Sequence, residues 1–226
     1  MFETPNPRWN TLAGRVLDEF FAQVSNQLPN YRSPLTVFGS APIQLCLDAE
    51  FASADVDVMV FTEVQALRNL AHTPSSERGR YHVQVCPPSL FIPSPHYLQR
   101  ARVETRHGLQ IVIPHLMDIL LAKLHRSRVE GQSGLVAKDL RAFRKVRQML
   151  DGNPSAEQMV AELQNCEAHL RTPLDGTLNS FKLNVLDLFE QVYGRTLNIT
   201  AEIAVPQPPP IEIAELGLDQ LDPVRL

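Results

Sequence analysis

Two short groups of residues in this sequence have the side chains and the spacing needed to bind a phosphate beside a metal ion. Gly39-Ser40 follows the β-like run Leu35–Phe38 and leads directly into a predicted helix. Glycine lets the backbone turn tightly and lets a ligand come close, and the free N–H groups of a helix start together with the Ser40 hydroxyl suit a phosphate. Asp55 and Asp57 begin the next predicted strand, where residues two apart point to the same side. Carboxylate oxygens are ligands that Mg²⁺ prefers, so the two groups together favour phosphoryl or nucleotidyl transfer.

Each group alone also has an ordinary structural explanation. A Gly-Ser pair after a strand can be only a turn, and Asp-x-Asp can be a solvated strand edge or a helix cap. The functional interpretation rests on order and distance, because 14 residues separate Ser40 from Asp55 and leave room for one short helix. In the strand near 55–61 the valines alternate with Asp55, Asp57 and Met59, which places both carboxylates on the face opposite the valines.

The order of these residues resembles the signature of the nucleotidyltransferase superfamily. The stretch from Val37-Phe38-Gly39-Ser40 to Asp55-Val56-Asp57-Val58-Met59-Val60 matches its Gly-Ser turn, spacer and Asp-x-Asp, although this spacer is longer than in the shortest forms. The resemblance covers roughly residues 35–145 and is strongest to the minimal bacterial nucleotidyltransferases, a group that includes abortive-infection type toxins of toxin–antitoxin systems. It implies that Gly39 and Ser40 bind the nucleotide and that Asp55 and Asp57 are catalytic and hold one or two Mg²⁺ ions.

The activity that this resemblance implies is transfer of a nucleoside monophosphate from a nucleoside triphosphate to a hydroxyl of RNA, protein or a small molecule. A cognate protein partner, as in a toxin–antitoxin pair, is also implied. Active members usually have a third carboxylate on a later strand, whereas here Gln84 stands where an acid is expected, and Glu104 is the only acid of the later hairpin. This departure keeps open a second function, that of a catalytically silent nucleotide- or partner-binding module with the same fold.

Two further charged residues lie at apolar positions of predicted helices. Lys123 lies beside the leucine stripe of the helix near 115–128, and Asp139 lies inside the apolar stripe of the helix near 135–150. A lone buried charge is costly, so the two residues are expected to pair with each other or to share a ligand. Leu120-Leu121-Ala122-Lys123-Leu124 and Lys138-Asp139-Leu140 also resemble helices of the minimal nucleotidyltransferases. That resemblance implies that Lys123 binds a nucleotide phosphate with Asp139 orienting it, and a purely structural ion pair is the alternative.

The spacing of apolar residues predicts an α/β protein. Helical and strand-like patterns alternate over 12–28, 35–38, 41–47, 55–61, 63–71 and 81–86, and a hairpin over 101–113 turns at His107-Gly108. From residue 114 the pattern is helical, over about 115–128, 135–150, 155–170 and 177–193. We therefore expect an α/β core over 1–113, which the resemblance implies to be a nucleotidyltransferase-like mixed sheet with flanking helices. A helical extension packed on that core follows over 114–203, and a Pro-rich extended or disordered tail over 204–226.

Composition and charge narrow the class of protein. The net charge of −4 argues against a general polyanion binder. Basic residues are nevertheless concentrated in the helical half: Lys123, Arg126, Arg128, Lys138, Arg141, Arg144, Lys145 and Arg147. Such a cluster is usually a solvated helix face, and an RNA acceptor would place its phosphates there. The seven histidines show no metal-ligand spacing, and His125 is expected to face solvent.

The cysteines and the absence of long apolar runs indicate the compartment. Cys46, Cys86 and Cys166 are far apart and have apolar neighbours, which favours buried reduced thiols. The sequence has no basic-plus-apolar leader pattern and no apolar run of about 18 residues. We therefore expect a soluble, cytoplasmic protein that does not contact a membrane.

Overall fold

The structure is a computed structural model that describes residues 2–51, 53, 55–72, 81–128, 132, 134–171 and 180–203. It confirms a mixed α/β architecture with one five-stranded sheet. The strands, in chain order, are β1 (Leu35–Phe38), β2 (Asp55–Met59), β3 (His82–Cys86), β4 (Arg102–Arg106) and β5 (Leu109–Ile113). Every strand predicted from the sequence is present, with its ends shifted by at most two residues. The hairpin turn at His107-Gly108 is also confirmed, since both residues have a positive φ.

The order of the strands in the sheet is β3-β2-β1-β5-β4. β1 lies antiparallel to β2 and parallel to β5, while β2 is parallel to β3 and β4 is antiparallel to β5. In this register Asp57 lies between Phe38 of β1 and Gln84 of β3. The sheet therefore brings the end of β1, the start of β2 and the middle of β3 to one place.

Helices cover both faces of the sheet and make up the second half of the described chain. In the first half they are α1 (Leu12–Gln27), α2 (Ala41–Cys46), α3 (Val64–Ala71) and α4 (Tyr97–Arg100), with a 3-10 turn at Pro88–Leu90. The second half contains α5 (Leu116–Leu124), α6 (Ala137–Met149), α7 (Ala156–Gln164), α8 (Glu167–Arg171), α9 (Ser180–Tyr193) and α10 (Ile199–Glu202). The short elements α4 and α10 were not expected, because four residues are too few to show a period.

The single helix predicted near 155–170 is wrong, since α7 and α8 are separate. The N–H groups of Asn165 and Cys166 bond to carbonyls three residues back, Glu162 and Leu163, so the α-helical ladder ends there. The bend lets Cys166 and Leu170 stay buried. The predicted tail over 204–226 and the start of the helix predicted near 177–193 lie outside the described residues.

Two apolar clusters hold the sheet from its two sides. The first joins α1 to the valine face of β2, as the alternation of valines predicted. The second joins Phe38, Met59 and Cys86 of the other face to the helices of the second half, including α5, α6, α7 and α9. The acid-bearing face of β2 is thus the face that the helical half covers.

A buried ionic network ties the sheet to the helical half. The Arg100 guanidinium donates to both carboxylate oxygens of Asp118 at 2.6 and 2.8 Å, and to Glu162 at 2.5 and 3.0 Å. The Asp118 side chain is fully buried, so these bonds replace the water that the carboxylate loses. The network links the chain just before β4 with α5 and α7.

The three cysteines are free and buried, as predicted. Burial raises the pKa of both Cys46 and Cys86 to about 12, which keeps these thiols protonated and unreactive at neutral pH. Within the described ranges no helix combines the length and the apolar character needed to cross a bilayer.

Candidate functional site

A cavity of about 500 Å³ opens between the acid-bearing face of the sheet and the helices α5 and α6. Its polar lining comes from both halves of the chain: Asp55, Asp57, Gln84, Lys123, Arg126 and Lys138. Its apolar lining includes Phe38, Cys86, Leu90, Ile92, Ile119 and Ala122. The two acids predicted from the sequence therefore share one cavity with three basic side chains.

Gly39 shapes the acidic side of this cavity. Its φ is +69°, a conformation that L side chains rarely adopt, so the β1 strand can turn sharply into α2. A Cβ at this position would collide with Oδ2 of Asp57. The glycine thus has two reasons to be there: it allows the turn, and it leaves the space that the Asp57 carboxylate fills.

The two carboxylates have different electrostatic environments. Burial and then the nearby charge of Asp55 raise the pKa of Asp57 to about 6, although Lys138, Lys123 and Arg126 act in the opposite direction. Burial acts to raise the pKa of Asp55 as well, but a hydrogen bond from Ser53 and the Lys138 charge outweigh it, so this pKa lies below its ordinary value. Asp55 therefore ionises at a lower pH than Asp57, where burial and the Asp55 charge outweigh the three nearby positive charges.

Lys138 is the basic residue beside Asp55. Its Nζ lies 3.5 Å from Asp55 Oδ1 and the side chain is 39% exposed. The sequence grouped Lys138 with basic residues of the kind that usually form a solvated helix face; its side chain is partly exposed and also lines the cavity. Lys138 is in the first turn of α6, where the helix end meets the cavity, so its side chain reaches back to β2.

Lys123 and Asp139 form the pair that their apolar surroundings predicted. Lys123 Nζ donates to Asp139 Oδ1 at 3.2 Å and to Ser40 Oγ at 3.3 Å. Both partners of the ion pair are almost fully buried. Burial lowers the pKa of Lys123, and the Asp139 carboxylate opposes that effect. The pair links β1, α5 and α6 at the base of the cavity.

Ser40 reaches the site through Lys123. Its side chain is buried, accepts from Lys123 and is not among the residues that line the cavity. The helix after it, α2, has only six residues, and all of them are buried. The structure thus brings Ser40 to the site as a support for Lys123, whereas the sequence predicted a direct contact with phosphate.

Sequence reasoning did not single out Arg126. Its Nε lies 2.8 Å from Asp139 Oδ2, close enough for an ion pair but without hydrogen-bond alignment, so that oxygen has no hydrogen bond within the described chain. The side chain is half exposed and lines the cavity. The available signal was its position three residues after Lys123, within the helix predicted near 115–128. Arg126 in fact lies two residues beyond the end of α5. The sequence placed it in a basic cluster of the kind that is usually solvated.

The candidate positions for a third acid, and His125, have defined surroundings in the structure. Gln84 pairs in register with Asp57 and lines the cavity, so an amide occupies the position of the expected third acid. Glu104 accepts from Trp9 Nε1 at 2.9 Å on the edge strand β4, away from the cavity. His125 was expected to face solvent, and this is wrong, because its ring stacks on Phe181 at 3.9 Å and burial lowers its pKa to about 4.

The residues present fit a divalent ion that also binds a substrate phosphate. Asp55 and Asp57 supply hard oxygen donors from one strand face, and a cation would offset the burial and the Asp55 charge that raise the pKa of Asp57. They do not form a complete cage, since no cluster of three or more His, Cys, Asp or Glu residues suited to a metal occurs in the described part of the chain. Mg²⁺ commonly binds in this incomplete way, with waters and substrate oxygens as the remaining ligands.

Comparison of the chain with models of protein families, with curated proteins and with solved structures finds no match.

Proposed function

We propose that this protein is a Mg²⁺-dependent nucleotidyltransferase that moves a nucleoside monophosphate from a nucleoside triphosphate to a hydroxyl group. The proposal rests on one observation: two carboxylates on one strand face line the same cavity as three basic side chains, Lys123 of α5, Arg126 just after α5, and Lys138 of α6. In a metal–triphosphate complex the metal ion is positive and the phosphates are negative. The carboxylates would bind the metal ion, and the basic side chains would bind the phosphates.

Asp55 and Asp57 would hold the metal ion. Bound Mg²⁺ would polarise the triphosphate and offset the negative charge that develops on the leaving pyrophosphate. Gly39 keeps the Asp57 carboxylate in place by leaving it room. Because metal binding needs the deprotonated carboxylate, we expect it to weaken as the pH falls below about 6.

Lys123 and Arg126 would bind the phosphates. Both contact Asp139, which is buried and orients the two cations from behind. Ser40 accepts from Lys123 and fixes the direction of its ammonium group. The apolar side of the cavity, with Leu90 and Ile92 at an exposed position, is suited to the nucleobase.

Gln84 supports a second candidate function, that of a catalytically silent nucleotide- or partner-binding module. Its amide can orient an acceptor hydroxyl by hydrogen bonding but cannot take up the proton of that hydroxyl. In the silent module the nucleotide would bind and no transfer would follow. RNA, protein and small molecules remain the acceptor classes of the first function, and membership in a toxin–antitoxin pair remains part of the same proposal.

The test is incubation with each α-labelled nucleoside triphosphate, Mg²⁺, and total cellular RNA or protein, followed by detection of transferred label. Asp57→Asn should abolish transfer, because a neutral amide cannot hold the metal in the same way. Asp18→Asn is a matched control, since Asp18 is a partly exposed acid that pairs with Arg106 and lies outside the cavity. Metal-dependent nucleotide binding without transfer would favour the silent nucleotide-binding module. No nucleotide binding at all would contradict the transferase and leave only the partner-binding form of the module.

A further inference from the structure

We propose that Lys138 takes the place of a second divalent ion, so that the nucleotide complex holds one Mg²⁺ on the two carboxylates while the Lys138 ammonium supplies the remaining positive charge beside Asp55. This inference rests on the proposed nucleotidyl transfer. Two carboxylates can hold either one or two metal ions, and this inference specifies one.

The charges around the cavity favour one ion. Among the residues described as lining the cavity only Asp55 and Asp57 are carboxylates, because the third position, Gln84, is neutral, so a second ion would depend on the triphosphate for its further ligands. Asp139 cannot make up the difference, since it is buried against Lys123 and Arg126. Like charges at short range repel strongly in a partly buried site. A second ion would therefore lie among three basic side chains without a carboxylate of its own.

The position of Lys138 makes it the substitute. Its Nζ lies 3.5 Å from Asp55 Oδ1, so the ammonium already occupies one side of that carboxylate. Asp139, the next residue, is fully buried and paired with Lys123, which anchors the first turn of α6. This anchor keeps the Lys138 backbone at the mouth of the cavity. The side chain is 39% exposed, so an ion pair and a 3.5 Å hydrogen bond from Nζ, rather than close packing, hold it against Asp55.

An alternative arrangement of Lys138 would allow two metal ions to bind. If nucleotide binding draws Lys138 away from Asp55 to a phosphate, both carboxylates become free for metal and a second ion can enter. Counting the ions in the nucleotide complex therefore separates the two arrangements. Mn²⁺ is a suitable probe, because it prefers the same oxygen ligands as Mg²⁺ and its free form is measured directly by electron paramagnetic resonance.

The experiment measures Mn²⁺ bound per bound nucleotide with a non-hydrolysable α,β-methylene nucleoside triphosphate, after subtraction of the Mn²⁺–nucleotide complex formed without protein. We expect a ratio of one for the wild-type chain and of two for Gln84→Glu combined with Lys138→Met, which adds a carboxylate and removes the ammonium. Lys145→Met is the matched control, because Lys145 is also on α6 and pairs with Asp48 at 3.0 Å outside the cavity. Its ratio should remain one.

A ratio of two in the wild-type chain would overturn the role of Lys138 and leave the proposed function intact. A ratio of one in a double variant that keeps the wild-type circular dichroism spectrum would overturn it as well. If the double variant does not fold, the wild-type ratio still decides. A wild-type chain that binds neither nucleotide nor Mn²⁺ contradicts the proposed function itself, so the two failures are distinguishable.

Discussion

Asp57 is a partly buried carboxylate whose ionised form lowers the stability of the fold. Its pKa of about 6 lies above the ordinary 3.8, so the folded chain takes up a proton at a higher pH than the unfolded chain does. Stability then rises as the pH falls from about 6 to about 4, and it is lowest where the carboxylate is ionised. The ionised Asp57 carboxylate is therefore unfavourable in the folded protein, and a perturbed pKa of this kind is more common at functional sites than elsewhere.

Replacing that anion should stabilise the metal-free protein. We expect Asp57→Asn to raise the free energy of unfolding at pH 7.5 by roughly 3 kcal/mol at most, since one pKa unit corresponds to about 1.4 kcal/mol. The gain should disappear below about pH 4, where the wild-type carboxyl is protonated in both states. Urea unfolding with EDTA at several pH values measures it. Asp18→Asn should have the opposite sign at pH 7.5, because Arg106 lowers the pKa of Asp18 despite its burial. An unchanged stability for Asp57→Asn at pH 7.5 would contradict the raised pKa.

Gly39→Ala should damage the site more than it damages the fold. The positive φ alone costs about 1 kcal/mol in alanine, and the new methyl group also displaces the Asp57 carboxylate. Gly194→Ala is a matched control, since its φ of +66° is almost the same and its Cβ would meet no atom within 4 Å. Thermal melting should show a larger loss for Gly39→Ala, and calorimetric titration should show that only this variant loses Mg²⁺-dependent nucleotide binding. Equal effects of the two variants would mean that Gly39 has no role at Asp57.

At the residue scale the sequence predicted which charged side chains lie near one another, but not the hydrogen-bond and ion-pair partners of each. Asp55, Asp57 and the Lys123–Asp139 pair were found because period-2 and period-3.6 patterns assign faces, and a face is enough to bring charges together. The contacts of Lys138 with Asp55 and of Ser40 with Lys123 were not predicted, because both residues lie at helix ends, where the period no longer determines the contact. His125 was misjudged since its aromatic partner, Phe181, lies 56 positions later and no local pattern connects them.

The elements α5 and α6 are joined by a buried charge pair. Lys123 and Asp139 lose almost all their water, and each offsets the cost of the other. The same pair touches Ser40 at the end of β1, so the position of two helices and one strand depends on it. A contact of this kind is expected to couple stability to the shape of the cavity.

Removal of one partner should therefore cost far more than removal of both. We expect Asp139→Ala to destabilise the protein by about 3–5 kcal/mol, because it leaves the Lys123 charge buried and unpaired. Lys123→Met combined with Asp139→Leu should restore much of that loss, and a double-mutant cycle by urea unfolding measures the coupling. Glu202→Ala is the control, since it breaks a partly exposed pair with Arg195 and should cost less than about 1 kcal/mol. Additive losses at Lys123 and Asp139 would show that they are not coupled.

The same double variant distinguishes a structural role of Lys123 from a role in binding phosphate. If Lys123 is a phosphate ligand, the restored protein should fold well and bind nucleoside triphosphate at least tenfold more weakly, since a charged hydrogen bond contributes about 1.5–3 kcal/mol. Nucleotide titration of the double variant measures this. Wild-type affinity would show that the pair only holds the helices.

At the scale of elements, strands and long helices could be predicted, while their arrangement in the sheet could not. Local alternation identifies β1, β2 and β3, but the order β3-β2-β1-β5-β4 depends on contacts between distant segments. The separation of α7 from α8 was likewise hidden, because apolar spacing continues across Asn165. Backbone hydrogen bonds to carbonyls three residues back end α7 at this point, and the pattern of side chains does not reveal them.

At the scale of the whole molecule, the helical half completes the core of the sheet. One apolar cluster contains Phe38, Met59 and Cys86 of the sheet together with Leu197 and Ile203 near the end of the described chain. The cavity also needs both halves, since its acids come from β2 and its basic residues from α5, the segment just after α5, and α6. Folding and nucleotide binding should therefore be lost together when the last helices are removed.

Two truncations test this dependence and the role of the tail. A chain that ends at Val205 should unfold in urea as the full chain does, because the sequence after Val205 is dense in proline and shows no helical or strand period. A chain that ends at Gly194 loses Leu197 and Ile203, which are only 3% and 1% exposed. Removing each such side chain costs about 2–5 kcal/mol, and a domain of this size is stable by about 5–15 kcal/mol. The shorter chain should thus be largely unfolded and bind no nucleotide. If the chain ending at Val205 unfolds at much lower urea than the full chain, residues after 205 stabilise the fold, and the core extends beyond Ile203.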